Sequence, residues 1–202
     1  MLNLLDDALA SLLRAELGPG ANGLDIAFGA PDRDWSSGLS RPTVNCYLWS
    51  VTPAGQGNVA GFEQVVEGDR AYRRMALPRV DLRYLITAWA DDPSDEHMIL
   101  GAALKVFARP HLLDSEHLPR GLASLTQLPL LQLAGQSVDD RADFWSTLGG
   151  QYRPGIDLVV TVPVEVGELL PIAPAPDRVE VAVTDTTRPE RSSGRHWFRR
   201  AG

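Results

Sequence analysis

Histidine, cysteine and acidic side chains at short spacing are the residues of this sequence that could do acid–base, metal or nucleophilic chemistry. His111 and His117 have Asp114 and Glu116 between them, and all four residue types can bind metal ions. They lie in an irregular stretch flanked by prolines, where sequence spacing fixes no coordination geometry. The sequence therefore predicts no metal and no cofactor.

His97 and Cys46 are the other candidates for chemistry. His97 follows Asp95 and Glu96 at the start of a predicted helix, where both a surface or interface role and an acid–base role coupled to those charges stay open. Cys46 lies inside a strand pattern, which favours a small core side chain over a nucleophile. Phosphate-binding, serine-hydrolase and zinc-protease motifs are absent from the sequence, so we expect no enzyme.

Exposed aromatic and charged residues are more typical of a binding surface. Trp35 lies in a polar loop that ends at Arg41, and Trp197 lies in a basic tail beside Arg199 and Arg200. Tryptophan in such places often anchors a protein interface. We predict an interface role for these residues and for His97, although Trp35 could equally fold back onto its own domain.

The composition bounds the possible partners. The 202 residues are 44% hydrophobic and 22% charged, which is typical of a globular domain. The net charge of −7 argues against nucleic acid as a partner. The tail from Arg188 onward carries five arginines and one acidic residue, so we expect it to dock on an acidic protein surface, such as a second copy, unless it is simply solvated.

Location is predicted from the cysteine count and from the hydrophobic runs. A single cysteine cannot form an intrachain disulfide, which fits a reducing compartment. Asp6 and Asp7 interrupt the apolar N-terminal stretch, so it does not resemble a signal peptide. No apolar run reaches the length of a membrane span. We expect a cytoplasmic protein without membrane insertion.

Hydrophobic periodicity predicts the elements that must position these residues. Helices are predicted at 2–17, 93–108 and 140–148, and strands at 24–28, 43–51, 70–77, 80–90 and 156–166, with a further short strand at 178–184. Residues 53–68 are predicted to be an exposed insertion, and 111–137 have no firm prediction. The fold class expected is α/β (α+β), a mixed and mostly antiparallel sheet flanked by helices. A core domain of residues 1–166 would precede an extended, Pro- and Arg-rich C-terminal arm of residues 167–202.

The strand at 156–166 gives a specific hypothesis about docking. Pro163 cannot donate a backbone hydrogen bond, which predicts that this strand lies at a sheet edge or leaves the sheet there. Asp157 and Glu165 would then lie on the face opposite the valines. An edge strand of this kind could accept an extended arm of a partner by strand addition.

Several stretches in a fixed order resemble one known family. The most specific is 78–89, which runs from Pro78 to Trp89. The other stretches that carry the similarity are 24–28, 31–35, 40–48, 95–101, 143–149 and 153–163. Together they are similar to the tail-terminator or cap family of extracellular contractile injection systems, relatives of the antifeeding prophage and the Photorhabdus virulence cassette. The similarity covers about residues 4–165, and the C-terminal arm matches no pattern of that family.

The resemblance implies a tail-terminator-like fold and a structural role. A protein of this family would form a ring, by analogy a hexamer, on the last layer of an inner-tube protein, and would contact the sheath protein. It would close the end of the assembled particle and stop polymerisation. The alternative is a small enzyme or ligand-binding module with a site near His97, Asp81 and Arg83. That alternative requires the three side chains to share a pocket.

Overall fold

The computed structural model shows a central sheet with helices on both faces. It describes residues 1–18, 23–55, 61–67, 70–122, 125, 127–134, 138–149, 152–165 and 170–171. The helices are α1 (Leu2–Leu17), α2 (Arg33–Ser37), α3 (Pro93–Phe107) and α4 (Val138–Leu148), with short 3-10 turns at Ser115–His117 and Arg120–Leu122. The strands are β1 (Asp25–Ala27), β2 (Thr43–Pro53), β3 (Phe62–Glu67), β4 (Arg70–Met75), β5 (Arg79–Trp89), β6 (His111–Leu112), β7 (Leu130–Leu133), β8 (Ile156–Pro163) and β9 (Leu170–Pro171).

Six strands form the main sheet in the order β1-β2-β5-β8-β7-β6. Strand β1 is parallel to β2, and the other neighbouring strands are antiparallel. The long strands β2 and β5 pair along nearly their whole length, with an irregularity between Leu48 and Ser50. The predicted fold class, a mixed and mostly antiparallel sheet with helices, is confirmed.

One face of the sheet carries the larger hydrophobic core. Leu82, Tyr84 and Ile86, which alternate along β5, are fully buried against α1 and α3. Leu9 of α1 and Phe107 of α3 belong to the same core, as the helical spacing of the sequence predicted. The even-numbered side chains of β5 therefore point toward α1 and α3.

The opposite face carries a smaller, aromatic core. Leu85 and Trp89 point to this side of β5 and pack with Trp145 of α4. Trp35 of α2 and Trp49 of β2 pack against the same cluster. Trp89 and Trp145 are buried, and Trp49 is half-buried.

Strand β8 occupies a central position, so the predicted sheet-edge position is wrong. It pairs with β5 on one side and with β7 on the other. Pro163 does not require an edge strand, because it lies two residues beyond Thr161, the last residue of β8 that pairs with β7. The Val164 amide donates to Pro78 on the β5 side, so the Pro163 nitrogen faces the side where β7 has ended. The strand does end there, which was the other outcome proposed.

A second sheet forms beside the first, in the order β3-β4-β9. The predicted strand at 70–77 is confirmed as β4, but it pairs with β3 in this separate sheet and not with β5. Strand β3 lies inside the segment predicted to be an insertion without regular structure. Leu170 and Pro171 pair with β4. The domain boundary at 167 stays a prediction, and the strand predicted at 178–184 lies outside the described residues.

Helix α3 begins as its sequence predicts. The Asp92 side chain accepts a hydrogen bond from the Ser94 amide, and Pro93 occupies the first turn, where it needs no backbone donor. Ala103 and Phe107 are buried, whereas Leu104 is 44% exposed. None of the helices within the described ranges is long and apolar enough to cross a lipid bilayer.

Candidate functional site

A cleft at one end of β5 is lined by three arginine side chains, of which two are exposed. We call it the arginine cleft and define it by Arg33, Arg41, Arg153, Trp89 and Asp91. Its volume of about 480 Å³ is in the range of ligand sites. It lies between the α2 segment, the end of β5 and the segment that precedes β8. This arrangement could not be predicted from the sequence, because its three arginines come from two segments that are distant along the chain.

Helix α2 forms one wall of the cleft. The Asp32 side chain accepts a hydrogen bond from the Trp35 amide at 2.7 Å and so caps this short helix. The Trp35 indole then packs edge-to-face on Trp89, with 5.3 Å between ring centroids. Gly29 makes this possible, because a Cβ there would lie 2.6 Å from the Trp35 Nε1. The structure thus shows the alternative in which Trp35 folds back onto its own domain.

Arg153 is held rigidly at the back of the cleft. Its guanidinium lies 4.2 Å from the Trp89 ring centroid and forms an ion pair with Glu96 of α3. The side chains of Arg153 and Glu96 are only 26% and 16% exposed. A cation stacked on an aromatic face and paired with a carboxylate is fixed in orientation. Nothing in the sequence around Arg153 indicated this role.

Arg41 lies at the mouth of the cleft and is 64% exposed. Among the described residues it pairs with the exposed Asp25 carboxylate at 3.9 Å, which is a weak contact at such exposure. Arg33 is also exposed, and none of the described acidic side chains forms an ion pair with it. Arg41 was predicted to lie on the surface, and it does. It shares a cationic site with Arg33.

His97 lies outside this cleft, on an exposed part of α3. It lines a shallow apolar groove with Leu104, Leu133 and Ile156, and this α3 groove has a volume of about 470 Å³. Helix α3 packs on the even-numbered side of β5. Asp81 of β5 accepts a hydrogen bond from the Thr161 hydroxyl on the other side.

The structure does not favour the alternative enzyme or ligand site. Asp81 and Arg83 are odd-numbered residues of β5, and Arg83 lies 5.9 Å from the Trp49 ring on the aromatic side. His97 lies on α3, which packs on the other face of the sheet. The described lining of the α3 groove includes His97 but neither Asp81 nor Arg83.

The remaining predicted interface residues fall in different places. Asp157 is 5% exposed and lies in the central strand β8, so it does not face a free edge. Strand addition along 158–161 is excluded, because β5 and β7 pair with β8 on both sides there. Glu165 is exposed just after β8. Trp197, Arg199 and Arg200 lie outside the described residues, so their interface role stays a prediction.

The groups considered for metal or nucleophilic chemistry have ordinary partners. The Nδ1 atom of His111 lies 2.9 Å from the Arg109 carbonyl oxygen, and that of His117 lies 3.4 Å from the Ser11 hydroxyl. Within the described ranges, no three histidine, cysteine or acidic side chains gather in a possible metal site. Cys46 is fully buried, and burial, together with the charge of Asp6, raises the pKa of its thiol.

The fold and its surface define an α/β domain whose exposed features are charged and apolar surfaces suited to protein contacts. Residues 4–177 match the family described as the Pvc16 N-terminal domain, and the chain belongs to that family. None of the curated proteins matches it.

Two solved structures are similar in fold. One is the sheath/tube terminator, in the extended state, of the extracellular contractile injection system PVC, with a TM-score of 0.61 and 21% identity over 92% of this chain. The other is the tube-terminating cap of the anti-feeding prophage, with a TM-score of 0.62 and 16% identity over 89% of this chain. This chain covers only 65% and 60% of their lengths. The expected likeness to terminator and cap proteins is confirmed.

Proposed function

We propose that this chain is a structural cap that closes the end of the inner tube and sheath of a contractile injection particle and stops polymerisation. The observation that carries the proposal is the family match over residues 4–177. The fold similarity to a sheath/tube terminator and to a tube-terminating cap supports it. A cap works by presenting one surface to the polymer and a different surface that adds no further subunit.

The proposed partners follow from this role. The chain would form a ring-shaped homo-oligomer, by analogy a hexamer, that contacts the inner-tube protein and the sheath protein. Most homo-oligomers have closed symmetry, and a ring matched to a tube needs a heterologous interface that closes. Assembly would occur in the cytoplasm, with the chain retained in the finished particle. The net charge of −7 supports protein partners over nucleic acid.

The cap needs no bond to be made or broken, so we propose that the chain has no catalytic activity. Support comes from the separation of His97 from Asp81 and Arg83 by the sheet. Further support comes from Cys46, whose buried thiol is a poor nucleophile because burial raises its pKa.

Electron microscopy of particles made with and without this chain tests the proposal. Without the chain, we expect tubes of variable length with open ends, and expression of the intact chain should restore uniform length. Particles that keep closed ends and normal length without the chain would contradict the proposal. Mass measurement of the purified chain tests the ring separately, because a strict monomer at assembly concentrations would exclude it.

A further inference from the structure

The arginine cleft carries more cationic than anionic side chains. Three guanidinium groups and the serines of the α2 segment line it, and Asp91 is the one acidic residue among the described residues of the lining. This balance is the reverse of that of the whole chain, which has a net charge of −7. A local cationic site on an anionic protein selects anionic ligands that the rest of the surface repels.

The three arginines are not equally available. Glu96 already pairs with Arg153, so Arg153 contributes a fixed, largely compensated charge at the back. Within the described residues, Arg41 has only the loose contact with Asp25 at 3.9 Å, and both groups are more than half exposed. Arg33 is exposed and forms no ion pair within the described part of the chain. Arg33 and Arg41 are therefore the two groups free to bind a carboxylate.

The rest of the lining favours a peptide over a small ion. Trp89, Leu39 and Pro42 supply an apolar floor beside the arginines. A volume of about 480 Å³ is far larger than one inorganic anion requires. Guanidinium groups bind carboxylates through two parallel hydrogen bonds, and an apolar floor can contact the aliphatic stems of glutamate side chains.

We propose that the arginine cleft binds an acidic peptide segment of a partner protein, with Arg33 and Arg41 contacting its carboxylates. Arg153 is a positioning residue, because it holds the Trp89 floor in place and is itself held by Glu96. This inference does not depend on the proposed capping role, since it concerns binding by the isolated chain.

Peptide binding to the full chain tests this inference directly. The probe is a fluorescein-labelled decapeptide in which glutamate alternates with serine, followed by fluorescence anisotropy at low salt. We expect saturable binding that weakens as salt is added, and no binding of the matching glutamine–serine peptide. The basic tail from Arg188 onward also attracts acidic peptides, so charge variants must show that the peptide binds at the cleft.

A matched pair of double variants localises the site. Arg33→Gln with Arg41→Gln removes two cleft charges, and Arg109→Gln with Arg120→Gln removes two exposed charges outside the cleft. Charge-assisted hydrogen bonds are strong enough that the cleft variant should bind at least about tenfold more weakly. The control variant should bind as the parent does, and thermal unfolding checks that both remain folded.

Three results would overturn the inference. The acidic peptide could bind no better than its glutamine counterpart, or the cleft variant could weaken binding no more than the control variant does. Inorganic phosphate at matched ionic strength could also displace the peptide completely at the cleft, which would identify a site for a small anion and not for a peptide. The capping role fails on a different observation, the length and ends of particles, so the two proposals are tested separately.

Discussion

At the scale of single residues, the ionisable pair of Asp6 and Tyr84 links α1 to the sheet. The hydroxyl of Tyr84, a residue of the larger core, donates to the half-buried Asp6 carboxylate at 2.8 Å. Burial raises the pKa of Asp6 above its usual 3.8, the hydrogen bond from Tyr84 lowers it, and the charge of Asp7 raises it further. Because the folded chain then binds this proton more tightly than the unfolded chain, ionisation of Asp6 destabilises the fold.

Asp6→Asn is therefore expected to raise the free energy of unfolding at pH 7 and to change it least at pH 3. The destabilising contribution of Asp6 begins as pH rises through 3.8 and is complete above the raised pKa. The asparagine oxygen can still accept the Tyr84 hydrogen bond. Urea unfolding at several pH values measures the effect. Asp143→Asn, which removes an exposed charge of α4 on the opposite face of the sheet, is the control, and an equal pH dependence in both variants would contradict the explanation.

The contact between Gly29 and Trp35 gives a second prediction for a single residue. Gly29→Ala should destabilise the fold by about 1–3 kcal/mol, because a Cβ would collide with the indole that packs on Trp89. Gly55→Ala is the matched control, since a Cβ there meets no atom within 4 Å. Denaturant unfolding measures both. Equal stabilities would mean that Trp35 is not held as described.

At the scale of elements, the central position of β8 has a measurable consequence. Leu158 is fully buried in β8, whereas Leu112 of the edge strand β6 is 51% exposed. Leu158→Ala should lower the free energy of unfolding by about 2–5 kcal/mol, and Leu112→Ala by less than about 1 kcal/mol. Chemical unfolding of both variants compares them. A small effect at Leu158 would contradict the central position of β8 in the sheet.

The long elements could be predicted from sequence because periodicity is a strong signal over many residues. Helix α1 was predicted with its observed limits, and β5 and α3 were each predicted to within one residue. The short elements α2, β3, β6 and β7 were missed, because a few residues carry little periodic signal and tertiary pairing decides their structure. The prediction that β8 lies at a sheet edge failed for another reason. A missing donor at Pro163 is compatible with a central strand when the neighbouring strand ends first.

The candidate site was less predictable than the fold. Arg41 was singled out from sequence, but its neighbours Arg33 and Arg153 were not. Their meeting depends on the path of the chain around Trp89, which local sequence does not determine. The aromatic contact of Trp35 was one of two open alternatives, because an exposed loop and a folded-back loop have the same sequence signature.

At the scale of the whole molecule, the uneven charge gives a prediction about self-association. The tail from Arg188 onward carries a charge of +4, so the rest of the chain carries −11. If the arm contacts the acidic body of a second copy, changing Arg195, Arg199 and Arg200 to Gln should weaken self-association at low salt and have little effect at high salt. Light scattering coupled to size-exclusion chromatography measures the mass. The same three-residue change should leave the melting temperature unaltered, and unchanged association at both salt concentrations would contradict a role for the arm.

The complete burial of Cys46 makes the chain suitable for measuring its own opening. A water-soluble thiol reagent can modify this sulfur only when β2 separates from its neighbours or from the helices above it. The labelling rate under native conditions therefore measures how often the structure opens at β2. Comparison of this rate before and after incorporation into a particle would show how much the surrounding subunits restrain the sheet.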